Sequence, residues 1–120
     1  MYNFINFLKT RRSTTAKTMI AGHIKENDLN NILACGIRVP DHGALNPWYL
    51  TVIKGNARSR IGKEILAPEY ILNNPEATEE DIDFEKNRFL RASVVIAVLF
   101  KPLSHPKIPL WEMELSTGAV

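Results

Sequence analysis

The run from Asn31 to Ile53, NILACGIRVPDHGALNPWYLTVI, decides how this chain folds. Just before it, Asn27 or Asp28 offers an N-cap, and Leu29, Ile32, Leu33, Gly36 and Ile37 recur at helical spacing. The pattern predicts a helix to about Ile37 with those residues as its buried stripe. Pro40 ends it, because proline supplies no backbone N–H and disfavours the helical conformation in the residue before it. From Trp48 to Ile53 the residues are aromatic and β-branched, so a strand follows within a few residues of the helix end. The loop between them, Val39 to Pro47, holds two prolines and a glycine and is tethered at both ends to packed elements. Rigid loops of this kind commonly carry ligands.

Working outward, Phe4, Ile5 and Leu8 sit at helical spacing and predict a short first helix that presents Arg11 and Arg12 at or beyond its C-terminal end. Thr14 to Ile24 reads as a connection. Asn56 is the expected cap of a helix through about Leu66, with Ile61, Ile65 and Leu66 turned inward. From Ala67 to Asp81 the chain turns polar and acidic around Pro68 and Pro75, which predicts a mobile surface excursion, and a further helix is expected over Glu79 to Arg91. The run of charge from Glu76 to Asp83 reads as a solvated face. Ser93 to Phe100, SVVIAVLF, is almost wholly apolar and predicts a strand buried on both faces. A proline-rich loop, Lys101 to Pro109, leads into a helix from Leu110, in which Trp111, Leu115, Ala119 and Val120 lie near one face. That helix ends still apolar, with no glycine cap or polar tail. It reads as an interrupted helix, or as one whose tip packs against another subunit.

Composition narrows the function classes. A chain of 120 residues that is 45% hydrophobic can build one modest core, so a single domain over 1–120 is expected. Fifteen basic against 13 acidic side chains leave a net charge of +2, far from the dense positive footprint of a dedicated nucleic-acid binder. The single Cys35 cannot form an internal disulfide and falls in the apolar row of its helix, where it reads as a small core residue rather than a redox thiol. No apolar run approaches the ~20 residues of a membrane span, and the basic residues of the N-terminus follow its apolar part, the wrong order for a secretory signal. The expected address is the cytoplasm, with no membrane and no nucleic-acid partner.

Two stretches carry chemistry: Arg11-Arg12-Ser13, and Arg38-Val39-Pro40-Asp41-His42 followed by Asn46-Pro47-Trp48. Paired guanidiniums can fork onto a phosphate, and a polar loop ending in Pro-Trp can meet a flat heteroaromatic ring. In this order and context the sequence resembles the nitroreductase family, specifically its compact bacterial members, whose loop also carries Pro-Asp-His and Pro-Trp. The likeness extends from about Phe7 to Val120, with Trp111-Glu112-Met113-Glu114, Ser116 and Gly118 resembling the helix that opens the second half of these proteins.

The resemblance implies an α+β fold, an α/β/α sandwich with a mixed sheet, of which this chain covers the N-terminal two thirds. It also implies a homodimer with FMN at the interface, and ping-pong transfer of electrons from NAD(P)H to a small-molecule acceptor such as a nitroaromatic or quinone. Arg11, Arg12 and Ser13 map onto residues that contact the phosphate, ribityl and pyrimidine end of FMN. Arg38 and His42 map onto residues that reach it from the partner subunit. Read from the residues alone, the arginine pair could instead complement a helix dipole and face water. His42 could be a ligand contact, a loop-forming residue or a proton donor, and Trp48 could be a core anchor or a flavin neighbour. Asn46 stands where the family more often has a longer Gln. Neither His23 nor His105 has paired metal-ligand spacing, and no Ser or Cys carries a nucleophile motif. The rival expectation is a partial nitroreductase fold that dimerises without retaining FMN.

Overall fold

The computed structural model describes residues 3–120. The first helix, α1, spans Phe4–Thr10; Asn3 caps it by accepting from the backbone N–H groups of Ile5 and Asn6. Every described residue through Gly22 is exposed, including Phe4, Ile5, Phe7 and Leu8 of α1. The arm meets the body of the molecule where the Gly22 N–H donates to Ser93 Oγ at 2.8 Å.

Helix α2 runs over Glu26–Gly36. It begins two residues earlier than a cap at Asn27 would place it, three earlier than one at Asp28, and has no side-chain cap. Its buried stripe is narrower than the sequence predicts: Leu29 is buried, Leu33 and Gly36 are half-buried, and Ile32 and Ile37 are exposed. Cys35 is exposed too, which corrects its assignment to the core. A helix residue six positions from Leu29 is turned about 120° away from it, so a neighbour that covers only the Leu29 line leaves Cys35 in solvent.

Strand β1, Trp48–Lys54, pairs antiparallel with β2, Val94–Phe100, in a register running from Trp48 opposite Phe100 to Lys54 opposite Val94. Both strands fall where the residue pattern puts them. β2 is not buried on both faces, however: it is half-buried through Ala97, and Val98, Leu99 and Phe100 are exposed. Two strands alone leave outer edges and part of a face uncovered, so an apolar sequence does not guarantee burial.

Between the strands the chain is more ordered than its polarity suggests. Helix α3, Asn56–Ile61, passes through a π-helical turn, Gly62–Leu66, directly into α4, Ala67–Asn73. The surface excursion expected from Ala67 onward is therefore helical as far as Asn73, with Ala67 buried. Pro68 explains the turn. It cannot donate to the carbonyl four residues back and would crowd it, and the wider turn just ahead, closed by the Ala67 N–H on the Gly62 carbonyl, absorbs the misfit. Gly62 is required for a second reason: a Cβ there would sit 2.0 Å from the Lys86 carbonyl oxygen.

Lys86 closes α5, Glu79–Lys86, which opens with a capping box between Thr78 and Asp81. The chain then tightens into a 3₁₀ turn over Arg88–Arg91, so the helix expected to reach Arg91 ends earlier. The last helix, α6, covers Leu110–Ala119 with Pro109 as its N-cap residue. Its buried face is Met113 and Ser116, whereas Trp111 and Leu115, on the apolar side of the helix, are exposed.

The class is α+β. Its core is small, made of Leu29, Trp48, Ile53, Ala67, Ile108 and Met113 with fully buried Pro47. The radius of gyration is 17.7 Å, against about 14 Å for a compact chain of this length. The surface is 9353 Å², against roughly 6,600 Å² for a monomer of this mass.

Candidate functional site

The loop ahead of β1 is built by its own polar groups. Asp41 holds it at both ends: its backbone carbonyl accepts from Ala44 N–H at 3.1 Å, and its Oδ2 accepts from Asn46 N–H at 2.7 Å. Gly43, Ala44 and Asn46 all have positive φ, of 73°, 50° and 49°. Glycine adopts that geometry freely and asparagine tolerates it, while Ala44 carries a cost of about 1 to 2 kcal/mol that the surrounding bonds must offset. Asn46 is exposed and turns its side chain back onto the loop, Nδ2 donating to the Ala44 carbonyl at 3.0 Å. It is a turn-former here, which accounts for the short amide. At Gly43 a Cβ would lie 2.8 Å from Ile108 Cδ1, so the loop rests directly on a core residue.

Pro47 ties this loop to the rest of the fold. Its carbonyl accepts from the Lys101 N–H just past β2 and from Thr117 Oγ1 on α6, both at 2.8 Å. Trp48, buried at the start of β1, is the core anchor its position suggested. With α6 held in this way, Glu112 reaches back across the loop, and its Oε2 lies 2.7 Å from His42 Nδ1. The imidazole is largely exposed and the carboxylate partly so. Pro40, Asp41, His42, Glu112, Leu115 and Ala119 surround an open cleft of about 360 Å³. Its wall is mainly apolar, with the His42–Glu112 pair on its rim.

The other candidate residues are placed differently. Arg38 lies just past the end of α2, exposed, with no carboxylate partner among the described residues. Arg11, Arg12 and Ser13 lie on the arm beyond α1, all exposed. Arg12 Nη1 donates to the Arg11 carbonyl at 3.0 Å, and neither guanidinium is paired with a carboxylate among the described residues. One chain thus brings His42 together with Glu112 and joins neither of them by hydrogen bond to Arg11, Arg12 or Ser13. As a donor set the residues suit an anionic, oxygen-rich ligand: three guanidiniums without a carboxylate partner among the described residues, a hydroxyl and an imidazole edge. No cluster of metal-ligating side chains occurs among the described residues.

Sequence reasoning did not connect Glu112 to His42, since the two are 70 residues apart. The only signal was the Trp111-Glu112 pair after Pro109, which resembled family positions and read as helix packing and dimer contacts rather than as chemistry.

Comparison with known proteins agrees with the loop. The sequence matches the Nitroreductase family over residues 8–120. The chain belongs to the nitroreductase family. Among its relatives, the protein named "Putative NAD(P)H nitroreductase YdjA" from Escherichia coli (strain K12) is 37% identical over 90 residues, covering 75% of this chain and 48% of that protein. A "Putative NAD(P)H nitroreductase" from Haemophilus influenzae (strain ATCC 51907 / DSM 11121 / KW20 / Rd) is 30% identical over 115 residues, 95% of this chain and 60% of the relative. The chain spans about half the length of the curated relatives it matches. Within the described residues no helix is long and apolar enough to cross a membrane.

Proposed function

We propose that this nitroreductase-family chain serves a cytoplasmic, FMN-dependent oxidoreductase that draws electrons from NAD(P)H and delivers them to a nitroaromatic or quinone-like acceptor. The observation that carries the reading is the set of guanidiniums without a carboxylate partner among the described residues, Arg11, Arg12 and Arg38, together with a His42 loop held by Asp41 and resting on Ile108 in a nitroreductase-family fold. Arg11 and Arg12 would meet the phosphate and the adjoining polar end of FMN, and Ser13 would add a hydroxyl bond there. Arg38 and His42 would approach the same cofactor from a second copy. When bound, FMN supplies the hydride and electron chemistry; the protein supplies charge, orientation and a walled space. A cationic set beside the flavin also favours its anionic reduced form by Coulomb attraction.

The second copy is part of the proposal because one chain leaves both half-sites open. Its surface exceeds that of a compact monomer by enough to supply a subunit's share of an obligate dimer interface. The exposed apolar residues of α1, Phe4, Ile5, Phe7 and Leu8, lie on the same arm as Arg11 and Arg12.

Titration of the purified chain with FMN, followed by absorbance and by sedimentation, tests this reading. The expected result is a yellow dimer in which Arg12→Ala weakens FMN binding about tenfold to hundredfold, the equivalent of a charge-assisted hydrogen bond. A dimer that takes up no FMN would favour the non-catalytic remnant, and a monomer saturable with FMN would overturn the shared site.

A further inference from the structure

His42 and Glu112 are brought together by elements that do not depend on the pair. The His42 loop is held by Asp41, Asn46 and the contact of Gly43 with Ile108, and α6 is held by Thr117 on the Pro47 carbonyl. An exposed ion pair adds little to fold stability, so the 2.7 Å contact between Nδ1 and Oε2 matters chiefly for what it does to the imidazole.

A carboxylate can only accept. Nδ1 must therefore carry a proton whenever the bond is made, and a neutral ring has only one N–H to give. We propose that Glu112 is a positioning residue that commits the Nδ1 proton of His42, leaving Nε2 as the ring atom offered to a ligand. Resting on the FMN reading above, this assigns His42 a pH-gated contact. Toward a phosphate or flavin carbonyl oxygen, Nε2 donates only when the ring is protonated; when the ring is neutral it presents a lone pair. Without Glu112 the neutral ring is free to move its proton to Nε2 and keep donating, so the carboxylate is what makes the contact sensitive to pH.

The surrounding charges leave this pair in control of the ring. Asp41 is the other charged group lining the cleft, and its Oδ2 is already engaged by the Asn46 N–H. Arg38 at the end of α2, Lys101, His105 and Lys107 on the loop that carries Ile108, and Glu114 on α6 do not line the cleft.

The test combines two readouts on the full chain. Nitrogen NMR of labelled histidine over a pH series identifies the tautomer of neutral His42 without any cofactor. FMN titrations over the same range measure the contact. The wild-type protein is expected to hold neutral His42 as Nδ1–H. Glu112→Ala should revert to the Nε2–H form that free histidine favours, and Glu112→Gln, whose amide oxygen can still accept, should restore Nδ1–H. FMN affinity of the wild type should fall about threefold to tenfold as His42 loses its proton, the equivalent of one hydrogen bond, and Glu112→Ala should show a flatter curve. The phosphate of FMN titrates as well, in both proteins alike, so the difference between the curves is the quantity read.

Neutral His42 found as Nε2–H in the wild type, or a tautomer unmoved in folded Glu112→Ala, would overturn the positioning role. Parallel affinity curves would overturn the gating. A chain that binds no FMN would sink the cofactor reading, while the tautomer measurement still decides what Glu112 does.

Discussion

The loop from Pro40 to Pro47 and the arm from Asn3 to Ala21 are opposite kinds of structure, although both carry candidate FMN contacts. The loop is over-determined: Asp41 bonds it twice, Gly43 sits on Ile108, and the Pro47 carbonyl is shared by two other segments. The arm has a capped helix and no buried residue, and one hydrogen bond at its far end, from Gly22 to Ser93, fastens it to the body. The difference separates pre-organisation from recruitment. His42 is presented at a set position before any ligand arrives, whereas Arg11, Arg12 and Ser13 need a surface to lie on, and their cost of ordering falls due when that surface is supplied.

The sharpest way to test the loop side of this contrast is to unseat α6, the helix tied to its Pro47 carbonyl. Met113 is fully buried on α6, and Met113→Ala should lower unfolding stability by about 2 to 5 kcal/mol in a denaturant titration. A loss under about 1 kcal/mol would mean that α6 is not seated as described.

Asp41→Ala comes next. It leaves the Asn46 N–H without its carboxylate acceptor and three positive-φ residues without their tie, with an expected cost of about 1.5 to 3 kcal/mol. The His42 amide and ring signals should broaden along with it. An unchanged melting midpoint would show that the Asp41 carboxylate does not hold the loop.

On the arm, Leu8→Ala should alter the unfolding free energy of the monomer by no more than about 0.5 kcal/mol, because Leu8 is exposed. The same substitution should weaken dimerisation measured by sedimentation. A large loss of monomer stability would erase the contrast between the two regions.

The smallest effect is local and depends on pH. The Thr78 hydroxyl and backbone N–H both bond the Asp81 carboxylate and hold its pKa below the ordinary value. A depressed folded-state pKa contributes stability above the unfolded-state value, and this is lost as pH falls through the folded-state value. The protection of amides at the start of α5, taken relative to their intrinsic exchange rates, should therefore fall on acidification through that range. Asp81→Asn should remove the pH dependence.

Much of the fold was legible in local patterns. α1, β1, β2 and the start of α6 appear where spacing, β-branching and Pro109 put them, because each depends on neighbours a few residues apart. The identity of the His42 loop was legible for the same reason, its prolines, glycine and Asn46 lying within nine residues. The conformation of Ala67 to Asn73 was not, because its polarity masked a helix that Pro68 enters through a π turn.

By itself, then, the sequence determined where segments begin and end, which ones alternate at strand or helix period, and which residue types could meet an anionic cofactor. Only the tertiary structure decided which side of each amphipathic segment is inside. It turned Met113 inward and Trp111 outward on α6, and it left Cys35 in solvent on α2. Periodicity sets angles about a helix axis but not the direction of the neighbour, and that direction came from contacts such as Thr117 to Pro47, which spans 70 residues.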